Sequence, residues 1–189
     1  MTQFTHPLAC IFSLVKHTLI TLLFASTTHL THAKITHSNN HSFTIEITSR
    51  VNTTPQDAYR AFLSVDQWWI ASHSYFGKRE NFSITPVAGG CFCEIDGDKQ
   101  VQHLQVSYVN PGKEIRLLGG LGPLQMMAAN GAMQWTFSEN ATGGTTITQT
   151  YRVTALDEDT VTPIANAVNS VQQQQQNQLT DYIKANKKP

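Results

Sequence analysis

The 189-residue chain has no excess of either charge, since 13 Lys and Arg stand against 13 Asp and Glu for a formal net charge of zero. Nucleic acid and anionic membrane are therefore excluded as partners held by a basic field. Cysteine is scarce, with Cys10, Cys91 and Cys93 the three in the chain. No glycine-rich phosphate loop, dinucleotide fingerprint or Ser-His-Asp order is present, so covalent and nucleotide-dependent chemistry has no basis in the sequence. Internal repeats are absent too. The length suits one domain with a sizeable core.

The first 33 residues contain Lys16 and no acid, then an apolar run from Leu19 to Ala25 and the small-residue exit Thr31-His32-Ala33. That order reads as a secretory signal peptide rather than a membrane span. Removing Lys16 with the leader leaves 12 basic and 13 acidic side chains in residues 34 to 189, a difference of −1. The expected product is secreted or periplasmic and has no stable membrane span. Pro7-Leu8-Ala9 before Cys10 is a poor lipidation signal. The Asn-rich stretch 34 to 41 reads as a linker, and the domain proper as residues 42 to 186.

Phe43, Ile45, Ile47 and Val51 alternate with polar residues, the period of a half-buried strand. Asn52-Thr53-Thr54-Pro55 offers a helix cap and an N-terminal proline, with Ala58, Tyr59, Phe62 and Leu63 at helical spacing behind it. Asp66 to Trp69 reads as a second short helix, and residues 70 to 80 as a loop. Six strands follow, 82–87, 90–96, 101–109, 113–119, 133–139 and 145–154, cornered by Gly89-Gly90, Gly97-Asp98, Pro111-Gly112, Gly122-Pro123 and Gly143-Gly144. Short turns make them an antiparallel meander. From Thr160 the pattern turns helical, with Ile164, Ala165, Val168, Val171, Leu179, Tyr182 and Ile183 along one stripe. The run Gln172 to Gln176 interrupts that stripe and is read as ordinary helix-forming residues.

This β-α-α-β6-α order is that of an α+β helix-grip fold, a curved antiparallel sheet wrapped around a long C-terminal helix. At Trp68-Trp69-Ile70-Ala71-Ser72-His73-Ser74-Tyr75, Ala88-Gly89-Gly90-Cys91-Phe92-Cys93-Glu94 and Gly119-Gly120-Leu121-Gly122-Pro123-Leu124-Gln125, the chain resembles the SRPBCC (START-like) superfamily over residues 43 to 183. Exported bacterial members and the polyketide-cyclase-like and heat-shock-ATPase-activator-like groups are the nearest in pattern. The resemblance implies a cavity between sheet and helix. Many members bind apolar molecules and others are cyclases, hydroxylases or hydrolases, so the fold leaves function open.

Continuing the register from a turn at Gly97-Asp98 pairs Asp96 with Lys99 and Glu94 with Val101, and sets Phe92 opposite His103. Glu94 and His103 then share a face, where a carboxylate can orient an imidazole as a base. The alternation of His103 with Leu104 and Val106 argues the other way, for a His103 on the solvent side. His73 is a further catalytic candidate. The same register buries Cys91 and Cys93 beside Leu104. A regular strand holds such cysteines about 6.5 to 7 Å apart, so free thiols are expected. A one-residue slip would instead bring Cys91, Cys93 and His103 onto one face as a zinc set, although the spacing matches no metal motif. No cofactor is expected.

The leading expectation is a binder of a small apolar or amphipathic molecule, lined by Trp69, His73, Tyr75, Glu94, Trp135, Tyr151 and Val168. Of Trp68 and Trp69, one should pack inward and the other rim the opening. The alternatives are a cyclase- or hydrolase-like enzyme using a His/Glu pair, and a co-chaperone-like interaction module, against which the leader argues.

Overall fold

The structure is a computed structural model and describes residues 1–2 and 31–187. The expected signal peptide lies almost wholly outside them. The fold is α+β, a single curved antiparallel sheet of eight strands with a C-terminal helix across it. This arrangement is consistent with a helix-grip fold. The strands are β1 (His32–Asn39), β2 (Ser42–Val51), β3 (Phe82–Ile84), β4 (Cys91–Asp96), β5 (Lys99–Asn110), β6 (Glu114–Leu118), β7 (Asn130–Glu139) and β8 (Thr145–Thr154). Their order is β1-β2-β8-β7-β6-β5-β4-β3, so β2 closes against β8 while the rest form a meander. Helices α1 (Pro55–Leu63), α2 (Val65–Trp68) and α3 (Ala165–Ala185) complete it.

The first correction concerns β1, since most of the expected linker is a strand paired with β2 from His32↔Thr48 to Asn39↔Ser42. Its asparagines make a hairpin turn, in which Asn39 Oδ1 accepts hydrogen bonds from the backbone amides of His41 and Ser42. Such a side-chain-bonded turn needs no apolar residue, so composition alone reads it as linker. Lys34 pairs with Glu46 at 2.9 Å across the two strands.

Local chemistry sets the other elements as expected. Thr54 caps α1 by accepting from the Asp57 amide, and Pro55 opens the helix. Gly89 takes a positive φ of 83° and a Cβ on Gly90 would run into the Thr85 carbonyl, so this corner into β4 requires its two glycines. The inward face of the sheet carries Phe43, Ile45 and Ile47 from β2, Met133, Trp135 and Phe137 from β7, and Ile147, Tyr151 and Val153 from β8, all buried.

Helix α3 departs from its expected stripe. Gln172, Gln175 and Gln176 are buried together with Leu179 and Ile183, while Ile164, Val168 and Val171 are only half-buried. The glutamines find partners in the sheet and α2 region. Gln149 donates to Gln172 at 2.6 Å, and Gln176 donates to Ser49 Oγ at 2.9 Å and the Ile147 carbonyl at 3.2 Å. The glutamine run is thus the polar seam between helix and sheet, since a buried amide must be hydrogen-bonded.

Candidate functional site

A cleft of about 440 Å³ opens between the first half of α3, the loop after α2 and the loop joining β6 to β7. Trp69, Leu121, Pro123, Ile164, Val168 and Val171 give it an apolar wall, and Ser72, His73, Tyr75, His103 and Gln172 supply polar groups. The half-exposure of the α3 stripe follows: those apolar residues face the cleft, and the glutamines one turn further on take the contact with the sheet.

Behind this wall, Glu94 is 0% exposed. Its carboxylate accepts from the Ser74 hydroxyl, from the amides of Tyr75 at 3.0 Å and Phe76 at 2.8 Å, and lies 3.3 Å from His103 Nε2. Burial pushes Glu94 up, but those donors together outweigh it and hold the acid below its ordinary value. His103, 3% exposed, is driven the same way by its burial, against the raising effect of Glu94. An ionised Glu94 and a neutral His103 result. Glu94 accepts only, so the imidazole proton sits on Nε2 and the lone pair on Nδ1. That Nδ1 has no partner among the described residues. The ring is stacked on Phe82 at 5.1 Å, with Phe92 at 5.3 Å and Tyr75 at 5.8 Å.

Tyr75 closes over this histidine. Its hydroxyl donates to the Gly122 carbonyl at 3.1 Å, joining the two loops that flank the cleft, while its ring stays half exposed. His73 is oriented from α3: Gln175 Oε1 accepts from the Ile70 amide, so its amide nitrogen must donate to His73 Nδ1 at 2.9 Å. The proton of His73 is therefore on Nε2. The two histidines of the cleft hold the same tautomer, each with its proton on Nε2 and its lone pair on Nδ1.

The pairing of β4 with β5 explains how His103 reaches the interior. Asp96↔Lys99, Glu94↔Val101 and Cys93↔Gln102 are regular, then Phe92 pairs with Leu104, which leaves His103 as an additional residue. A bulge of this kind lets two successive residues face one side. His103 and Leu104 are both buried, and the argument from alternation for a solvent-facing His103 fails here.

The bulge also overturns two expectations about the cysteines. Cys91 and Cys93 lie opposite Gln105 and Gln102 on the outer face, half-buried rather than beside Leu104, and a disulfide joins them with Cα atoms 5.3 Å apart. The irregular pairing shortens the span that a regular strand would hold open. A zinc set of Cys91, Cys93 and His103 is excluded, because the sulfurs and the imidazole lie on opposite faces of the sheet. No group of three or more potential metal ligands occurs among the described residues.

Of the other expected lining residues, Trp69, His73, Tyr75 and Val168 border the cleft, while Trp135 and Tyr151 do not. Trp135 packs on Phe62 at 4.9 Å inside the core. Tyr151 donates to the Gly119 carbonyl at 2.9 Å and accepts from the Leu121 amide at 3.1 Å, pinning the β6–β7 loop, and burial pushes its hydroxyl up to about 12. Trp68 and Trp69 are both buried, 5.8 Å apart, with Trp69 alone of the two reaching the cleft. Gln172 and Gln175 were missed. A glutamine run whose i, i+3 and i+4 members fall on the helix stripe was the available signal.

No family model matches the chain, and no curated protein matches it. Solved structures do match it in three dimensions. An uncharacterised protein from Rhizobium leguminosarum has a TM-score of 0.58 at 14% identity, covering 82% of this chain and 99% of its own. A conserved protein of unknown function from Enterococcus faecalis gives 0.55 at 14%, covering 84% and 80%. Ara h 8.0201 gives 0.53 at 13%, covering 77% and 99%. At such identities the likeness is one of fold.

Proposed function

We propose that this chain is an exported helix-grip protein of the SRPBCC (START-like) type that binds one small apolar or amphipathic molecule between the loops and α3. The observation that carries the reading is the 440 Å³ cleft itself, apolar along α3 and Trp69 with a few oriented polar groups at one side. Ligand sites commonly have this size and mixture. The signal-like leader supports a location outside the cytoplasm, secreted or periplasmic. Among the described residues no helix is long and apolar enough to cross a membrane.

An environment-sensitive apolar dye should bind the wild-type protein saturably at one site. Val168→Trp should abolish that response with little loss of melting temperature, because the half-buried side chain borders open space. A packed position would instead cost about 1–3 kcal/mol through overpacking. Absence of saturable binding by wild type, together with a large destabilisation of the mutant, would remove this reading.

A second reading, proton transfer on the bound molecule, is favoured by one observation: a buried His103 whose Nδ1 lacks a partner while Glu94 orients the opposite nitrogen. Its test is to incubate the molecule recovered with the protein from its own host with wild type and His103→Phe. Conversion by wild type alone supports proton transfer. Recovery of unchanged molecule from both leaves binding as the activity.

A further inference from the structure

The disulfide has no evident task as a staple. Disulfide stabilisation grows with the length of chain enclosed, and this one encloses only Phe92 within a single strand. Elements distant in sequence gain nothing from it. Its effect must be local, on β4 and what β4 touches.

Three features of that neighbourhood bear on its role. Both cysteines are half-buried on the outer face, and the residues paired with them, Ser83, Gln102 and Gln105, are exposed and uncharged. A thiolate from solution meets no charged or bulky cover at these positions. The residues on either side of Cys93, Phe92 and Glu94, point inward; Phe92 packs 5.3 Å from both Trp69 and His103, and Glu94 contacts His103. Finally, the 5.3 Å between the cysteine Cα atoms is more than about 1 Å below the span of two regular strand steps, at the place where β5 carries its additional residue. A shortened β4 facing a normally spaced β5 is the geometry that a bulge at His103 accommodates.

We propose that Cys91–Cys93 is a redox site on the outer face of the sheet, a disulfide that exchanges with a small dithiol and whose opening rearranges His103 on the inner face. In the exchange, one thiolate of the dithiol attacks a cysteine sulfur, the Cys91–Cys93 bond breaks, and the departing sulfur takes a proton. The second thiol of the reductant then attacks the mixed disulfide, releases the other cysteine as a thiol and leaves the reductant oxidised. Two electrons and two protons pass to the cysteine pair. With β4 free to extend, regular pairing keeps either His103 or Leu104 facing inward, and burial of Leu104 and Val106 favours the apolar pair. His103 then gives up its contact with Glu94. The consequence for ligand capture rests on the cleft reading above, whereas exchange and the movement of His103 do not.

The test uses the full folded protein prepared without reductant. Intact mass under native conditions should rise by two hydrogens on treatment with dithiothreitol, and the His103 ring resonances should move with that change and return on reoxidation. Dye affinity should fall several-fold in the reduced protein and in Cys91→Ser. A pair that opens only after denaturation, or is already a dithiol, overturns the exchange site. Reduction that leaves the His103 resonances unmoved overturns the coupling. If neither form binds dye, the ligand reading fails by itself, and mass and resonances still decide the redox site.

Discussion

Glu94 is a carboxylate that folding has surrounded with donors: a hydroxyl, two backbone amides and an imidazole. This fixes the loop after α2 as much as it orients His103, because two of the donors are main-chain groups of that loop. Replacing Glu94 by Gln puts an amide nitrogen among donors and should cost about 1.5–3 kcal/mol in urea unfolding at neutral pH, the range for hydrogen bonds to a charged group. Both buried groups have depressed values in the folded state, so both contribute stability at higher pH that is lost as pH falls. The loss should begin below the ordinary histidine value of 6.5, where the unfolded chain takes up a proton that His103 refuses. It should steepen below 4.5, where the unfolded chain takes up a proton that the folded Glu94 resists. His103→Phe should remove the first limb and keep part of the second. A stability curve flat from pH 7 to pH 4 in wild type would contradict this assignment.

Helix α3 divides its surface unusually, with apolar residues on the open cleft and glutamines against the sheet. The arrangement places the cost of ordering the helix on hydrogen bonds to Ser49, Ile147, Gln149 and His73 as well as on apolar burial by Leu179 and Ile183. Neighbouring substitutions should therefore behave very differently. Gln176→Glu buries a charge with no cation beside it and should cost about 3 kcal/mol or more. Gln174→Glu, on the exposed side, should stay within about 0.5 kcal/mol. Equal effects of the two in denaturant unfolding would mean that the helix presents another face to the sheet. The same element decides how His73 is held, since Gln175 bonds both its ring and the Ile70 amide.

For the whole molecule, the export reading meets the strand at the N-terminus. Cleavage after Ala33 falls inside β1, which begins at His32, and leaves Lys34 with its Glu46 partner. Processing must then precede folding, because a paired strand withholds its peptide bonds from a protease. Terminal sequencing of protein from outside the cytoplasm should begin at Lys34. A chain starting at Met1 in that fraction would count against the leader. Residues 34 to 39 should show slowed amide exchange in the processed protein, as expected for a strand rather than a linker.

How much of this could be read beforehand depends on the range of the interactions involved. Alternation in 145–154, the capped start at Thr54-Pro55 and the glycine corners placed β8, α1 and the turns, because each signal lies within a few residues and reflects local sterics or the facing of one strand. A shared face for Glu94 and His103 was one of two readings open in the sequence, since a tight turn propagates its register along a hairpin while the alternation of His103 with Leu104 and Val106 pointed to solvent. Beyond Gln102 that logic stopped. The pairing of Phe92 with Leu104 reflects competition between two inward-facing neighbours and a disulfide across one residue, and neither has a local signature in the sequence. Likewise a polar hairpin at Asn39 resembles a linker until β2 offers it an edge, and a glutamine run looks like surface until partners such as Gln149 and Ser49 arrive from the sheet. Sequence determined the elements and the sidedness of most strands; tertiary structure decided which polar groups would be buried, because burial depends on partners distant in the chain.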